Sequence, residues 1–131
     1  MDKHISLMMT KIIWTVDTED TIERAMTMLA THRLSAIPVV DQKGIIFGII
    51  SPLDILRFHE SRQNPKAARV WEFCTHKPIS VIPETPIVDV AKLMIKNKIN
   101  HVLITENGVP LGIVSAANFI EQYILDCGAG R

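Results

Sequence analysis

The chain of 131 residues repeats itself once, head to tail. At an offset of 65, Thr10 pairs with Thr75, Val16 with Val81, Glu19 with Glu84 and Ile22 with Ile87. At an offset of 64, Gly44 pairs with Gly108, Gly48 with Gly112, Ile49 with Ile113 and Ser51 with Ser115. A repeat of this length restricts the fold to one supersecondary unit used twice. The offset changes where the first copy turns through Asp41-Gln42-Lys43-Gly44 and the second through Glu106-Asn107-Gly108. Asn-Gly is a strong two-residue hairpin signal, because both residues tolerate positive φ. A one-residue deletion at a hairpin tip is what a duplicated unit tolerates.

Each copy reads as β-α-β-β-α. A short extended lead-in, Thr15-Val16 or Ser80-Val81, runs into a helix. Asp20 with Glu23 three residues on forms a capping box for the first helix, and Thr85 with Pro86 at the first helical position starts the second. Ile22, Ala25, Met26, Leu29 and Ala30 make one apolar face, and Ile87, Val90, Ala91, Met94 and Ile95 repeat it. Two strands follow around each hairpin, Ala36 to Val40 with Ile45 to Ile50, and His101 to Thr105 with Val109 to Val114. A last helix begins at Pro52 in one copy and Ala116 in the other. The strands are almost continuously apolar, which predicts sheets covered on both faces. The expected fold is therefore α+β, two repeats packed sheet to sheet with pseudo-two-fold symmetry. The expected boundaries are 1–62 for the first repeat with its N-terminal lead-in, and 63–131 for linker and second repeat. Ser61 to Arg69, polar and containing Pro65, is the linker.

Composition narrows the function. Lys plus Arg and Asp plus Glu number 14 each, so the net charge is zero, which argues against nucleic acid or a membrane surface as partner. Cys74 and Cys127 show no Cys-x-x-Cys spacing and no histidine at ligand spacing, which argues against a zinc site or a disulfide framework and suits the cytoplasm. Lys3, His4 and Lys11 interrupt the N-terminus, so no signal peptide is expected there. Neither a P-loop, a dinucleotide fingerprint nor a nucleophilic triad is suggested by spacing, and the expectation is a protein that is not an enzyme.

The strand-to-helix junctions carry the chemistry: Gly48-Ile49-Ile50-Ser51-Pro52-Leu53-Asp54 and Gly112-Ile113-Val114-Ser115-Ala116-Ala117-Asn118. Serine at N-cap with Asp or Asn at N3 places two polar side chains beside free backbone N–H groups, a setting for anions or for a ribose diol. The same Ser-x-x-Asp is also a plain capping box, worth about 1 kcal/mol without any ligand.

These junctions, with Met9-Thr10 and Cys74-Thr75 in the lead-ins and Ser35-Ala36-Ile37-Pro38-Val39-Val40-Asp41 in the second strand, resemble a CBS-domain pair, the Bateman module. The resemblance spans about Ile5 to Ile124. It implies a regulatory, ligand-sensing module whose inter-repeat cleft takes adenosine-containing ligands such as AMP, ADP, ATP or S-adenosylmethionine, with the nucleotide as regulatory ligand and no other cofactor. It also implies homodimerisation and, with no effector domain in this chain, action on a partner protein in trans. Each pocket of the family is composite. The resemblance carries one to Ser51, Leu53, Asp54, Lys77, Pro78, Ile99, Asn100 and His101, with Asp54 on the ribose diol and Lys77 and His101 towards phosphate. It carries a second, weaker one to Ile12, Ile13, Leu34, Ser35, Ala36, Ile37, Ser115, Ala117 and Asn118, where Asn stands in place of the family's favoured Asp. The alternative is a ligand-free structural or dimerisation module. Trp14, Trp71 and Phe73 are expected in packing rather than on an adenine ring, and Met8, Met9, Met26, Met28 and Met94 mostly in the core.

Overall fold

The computed structural model describes residues 3–129. Its elements are β1 (Thr10–Lys11), β2 (Val16–Asp17), α1 (Ile22–Thr31), β3 (Ile37–Val40), β4 (Ile46–Ile50), α2 (Pro52–Ser61), α3 (Val70–Phe73), β5 (Thr75–His76), β6 (Ser80–Val81), α4 (Ile87–Asn97), β7 (His101–Glu106), β8 (Val109–Ser115) and α5 (Ala116–Ala129). The predicted β-α-β-β-α order is present twice, as β2-α1-β3-β4-α2 and β6-α4-β7-β8-α5. The fold is mixed α+β with two four-stranded sheets, ordered β2-β3-β4-β5 and β1-β8-β7-β6.

Local chemistry explains the matched elements. A helical crossover makes β2 parallel to β3 and β6 parallel to β7, whereas the hairpins make β3–β4 and β7–β8 antiparallel. Asn107 and Gly108 both adopt positive φ, as the two-residue turn requires. In the longer turn, Asp41 Oδ1 accepts from the amides of Lys43 and Ile45 at 2.8 and 3.1 Å, and only Gly44 goes left-handed.

The chain divides into units that are not its sequence halves: residues 13–78 form one, and residues 1–12 with 79–131 form the other. These contact units cut across the sequence repeats 1–62 and 63–131, because each lead-in pairs with strands of the other repeat. β1 pairs with β8 of the second repeat, Lys11 facing Gly112, while β5 pairs with β4 of the first, His76 facing Gly48. The helix starts obey the same exchange. The first amide of α1, on Ile22, donates to Ala68 O at 3.0 Å, and that of α4, on Ile87, donates to Lys3 O at 2.9 Å. Both orphan amides are satisfied by a carbonyl from outside the sequence repeat that holds the helix, Ala68 from the linker and Lys3 from the N-terminal segment.

That arrangement shifts the predicted caps by one residue. Thr21, not Asp20, caps α1, its Oγ1 accepting from Arg24 N at 3.2 Å. Asp20 instead accepts from Asp17 N at 2.8 Å and pairs with Arg24 at 3.5 Å. Pro86 is the N-cap of α4 rather than its first helical residue.

Each unit has its own buried cluster. In unit 13–78, Ile22, Ala25, Met28 and Leu29 of α1 pack with Val39, Ile50, Phe58 and Val70. In the other unit, Val90 and Met94 of α4 pack with Ile5, Val102, Ile104, Val114 and Phe119. The predicted helix faces are thus rotated slightly: Met28 is inside while Met26 is 38% exposed, and Ile95 is 78% exposed. Ala30, the repeat mate of Ile95, is exposed too, so the edge of the stripe lies outside in both copies. Met94 is buried, and Met8 and Met9 pack partly buried against the second cluster. Phe73 meets Phe58 edge to face at 5.0 Å, and Trp14 stacks on His32 at 3.8 Å. Among the described residues, no helix is long and apolar enough to cross a membrane.

Candidate functional site

Two close backbone approaches shape the junctions. A Cβ on Gly48 would lie 2.5 Å from the carbonyl oxygen of Thr75 and 2.9 Å from Cys74 Sγ. A Cβ on Gly112 would collide with the Met9 side chain. Met9 and Cys74 are repeat mates, so the two glycines are empty for the same reason: a sulfur-bearing lead-in crosses over each. These glycines serve sheet assembly three residues before each serine.

At the first junction, Ser51 is the N-cap of α2, with Pro52 at its first position and Asp54 at N3. Asp54 Oδ2 accepts from the Ser51 amide at 2.9 Å and from Ser51 Oγ at 3.2 Å. Its Oδ1 accepts from Arg57 Nη1 at 3.2 Å. Asp54 is only 3% exposed, a degree of burial that carboxylates reach almost only when paired. The second junction reproduces the bonding. Asn118 Oδ1 accepts from the Ser115 amide at 2.8 Å and from Ser115 Oγ at 3.2 Å. Because the amide N–H is an obligatory donor, the oxygen of Asn118 must face it. The outward group is then Nδ2, a donor, where Asp54 turns an acceptor outward. The copies therefore differ in polarity as well as in charge.

Asp54 also acts on its surroundings. Burial, and after it the Asp54 charge, push the Cys74 thiol up to about 11, against a backbone hydrogen bond that lowers it. In the other unit, burial lowers the pKa of His101 from its ordinary value of 6.5.

The predicted site residues divide between the units. Unit 13–78 holds Ser51, Leu53, Asp54, Lys77 and Pro78 of the first set, and Ile13, Leu34, Ser35, Ala36 and Ile37 of the second. The other unit holds Ile99, Asn100 and His101 of the first set, and Ile12, Ser115, Ala117 and Asn118 of the second. Inside its own unit, His101 is the register partner of Ser115, and Asn100 O accepts from the Ala116 amide at 3.0 Å. Lys77 is exposed, with a left-handed φ of 52°, and its amide donates to Phe47 O at 3.3 Å. Arg57 went unnoticed in the sequence; its signal was the i,i+3 spacing to Asp54 on a helix whose N3 carboxylate is buried. Among the described residues, no group of three His, Cys, Asp or Glu is placed to hold a metal ion.

The duplicated β-α-β-β-α units and their paired junctions are those of a known class. The family model "CBS domain" matches residues 3–61 and 70–124, and the chain belongs to that family. It is 28% identical over 97 residues to YlbB of Bacillus subtilis, covering 73% of this chain and 66% of that protein. It is 28% identical over 112 residues to the mitochondrial CBS domain-containing protein CBSX3 of Arabidopsis thaliana, covering 82% of this chain and 54% of the relative. The chain thus spans less than two thirds of the length of both relatives.

Solved structures share the fold. A putative acetoin utilization protein (AcuB) from Vibrio cholerae superposes with a TM-score of 0.86 at 23% identity, over 100% of this chain and 98% of the other. The CBS domain pair of protein MJ0100, in complex with 5′-methylthioadenosine and S-adenosyl-L-methionine, gives 0.83 at 23% identity, over 92% and 99%. CBSX2 in complex with AMP gives 0.79 at 20%, over 94% and 97%.

Proposed function

We propose that this chain is a regulatory module that binds an adenosine-containing ligand at the Ser51–Asp54 junction and modulates a partner protein in trans, without catalysis of its own. The observation that carries the reading is the buried carboxylate of Asp54 at the start of α2. A capping box works equally well at the surface, so capping alone does not require burial of the charge. A ribose diol does need such an acceptor. Adenosine compounds in the MJ0100 and CBSX2 structures support the ligand class. Lys77, exposed in the same unit, is proposed to face phosphate. The module is proposed to act as a cytoplasmic homodimer, with no nucleic acid or membrane partner.

The Asn118 junction is proposed as the weaker site. Its outward amide donor cannot accept hydroxyl hydrogen bonds, and charge-assisted bonds contribute about 1.5–3 kcal/mol. Calorimetric titration of ADP into Asp54→Ala and Asn118→Ala proteins tests this. The expected result is a large loss for the former and a small one for the latter; equal losses refute the ranking.

One observation favours a second reading, a ligand-free structural module: both oxygens of Asp54 already have donors. Adenine nucleotides that raise the unfolding midpoint by mass action support the sensor, and a flat thermal-shift screen supports the structural module.

A further inference from the structure

Asp54 has two oxygens, and the structure assigns them differently. Oδ2 is taken by the two Ser51 donors, which belong to the cap itself. Oδ1 is held by Arg57 Nη1 at 3.2 Å, from one turn further along α2. The Asp54 side chain is 4% exposed and that of Arg57 64%, so the guanidinium lies on the solvent side of a carboxylate that is otherwise enclosed. The repeat mate of Arg57 is Glu121, so the second junction has no cation at this position.

We propose that Arg57 is a latch on Asp54: it occupies the one carboxylate oxygen left open by the cap, and a ligand's hydroxyls reach that oxygen only by displacing it. The proposal rests on the adenosine-sensing reading and adds how access to that site is controlled. An exposed arginine is easily released, because a partly solvated ion pair is weak and its freed guanidinium is rehydrated at once. A ligand that replaces it must still outcompete an intramolecular donor, so Arg57 lowers affinity and is a positioning residue rather than a contact. The pair is also open to screening by salt. Ligand binding that breaks it therefore strengthens as salt rises, the opposite of ordinary phosphate binding.

Adenosine, which is uncharged, is the probe that isolates this effect. Calorimetry on the full chain compares wild type with Arg57→Met, Arg57→Lys and, as a control, Glu121→Met. Arg57→Met is expected to bind adenosine about fivefold more tightly, the scale of one partly exposed ion pair. Wild-type affinity should rise between low and high salt, Arg57→Lys should keep that salt dependence, and Arg57→Met should lose it. Glu121→Met should match wild type. Weaker or unchanged adenosine binding by Arg57→Met overturns the latch while leaving the sensor intact. Absence of adenosine binding in every variant, Arg57→Met included, overturns the sensor reading and the latch with it.

Discussion

Single residues set the pH behaviour expected of this protein. Cys74 has its folded pKa pushed from 9.0 to about 11. Between those values the native state binds the proton that the unfolded chain releases, so stability falls as pH rises through that window. The loss is at most about 3 kcal/mol for a shift of this size. Denaturant melts at pH 8 and pH 10.5 should show it in wild type and much less in Cys74→Ala. The same burial makes Cys74 inert at pH 8, while the exposed Cys127 reacts. A single label by mass spectrometry under native conditions is expected, and equal labelling of both thiols contradicts it. His101 works in the other direction. Its folded pKa lies below 6.5, so the unfolded chain takes up the proton first and stability falls as the pH drops below about 6.5. That decline should shrink in His101→Gln.

Elements depend on what crosses them, and the two junction glycines differ in this respect. At Gly48 an added methyl meets a backbone carbonyl, which moves only if β5 moves. At Gly112 it meets the Sδ, Cγ and Cβ atoms of Met9, a flexible side chain rather than a backbone carbonyl. Overpacking against backbone costs about 1–3 kcal/mol, so Gly48→Ala should destabilise clearly more than Gly112→Ala in denaturant melts. Equal midpoints would show that β5 yields as readily as a side chain. The hairpins, crossover helices and strand order within each copy were legible beforehand because their signals are local: Asn107-Gly108 at a turn, period 3.6 in α1 and α4, apolar runs in β3 and β7. The cap of α1 was misplaced by one residue because Asp20 and Thr21 both suit an N-cap. What separates them is the Ala68 carbonyl on the Ile22 amide, a contact from far along the chain.

For the whole molecule, the exchange of lead-ins decides what can be cut. A fragment of residues 13–78 keeps β5, α3, Ala68, Val70 and Cys74 with the core they complete, whereas 1–62 lacks all of them. The former should show more amide protection by hydrogen exchange, and the reverse order would contradict the unit boundaries. Likewise, removing residues 1–11 takes away β1 and the fully buried Ile5, which should expose β8 amides while leaving those of β3 and β4 protected.

By itself the sequence determined the duplication, the α+β class, the family and the pairing of Ser51 with Asp54 and Ser115 with Asn118, since each follows from spacing within a few residues. Tertiary structure alone decided which copy each lead-in completes and that the Asp54 carboxylate is buried. The reason is the same in each case. β1 and β5 are two exposed residues each, with no alternating pattern to reveal a partner. The burial of Asp54 depends in the same way on what packs over the start of α2, which no spacing within the motif records.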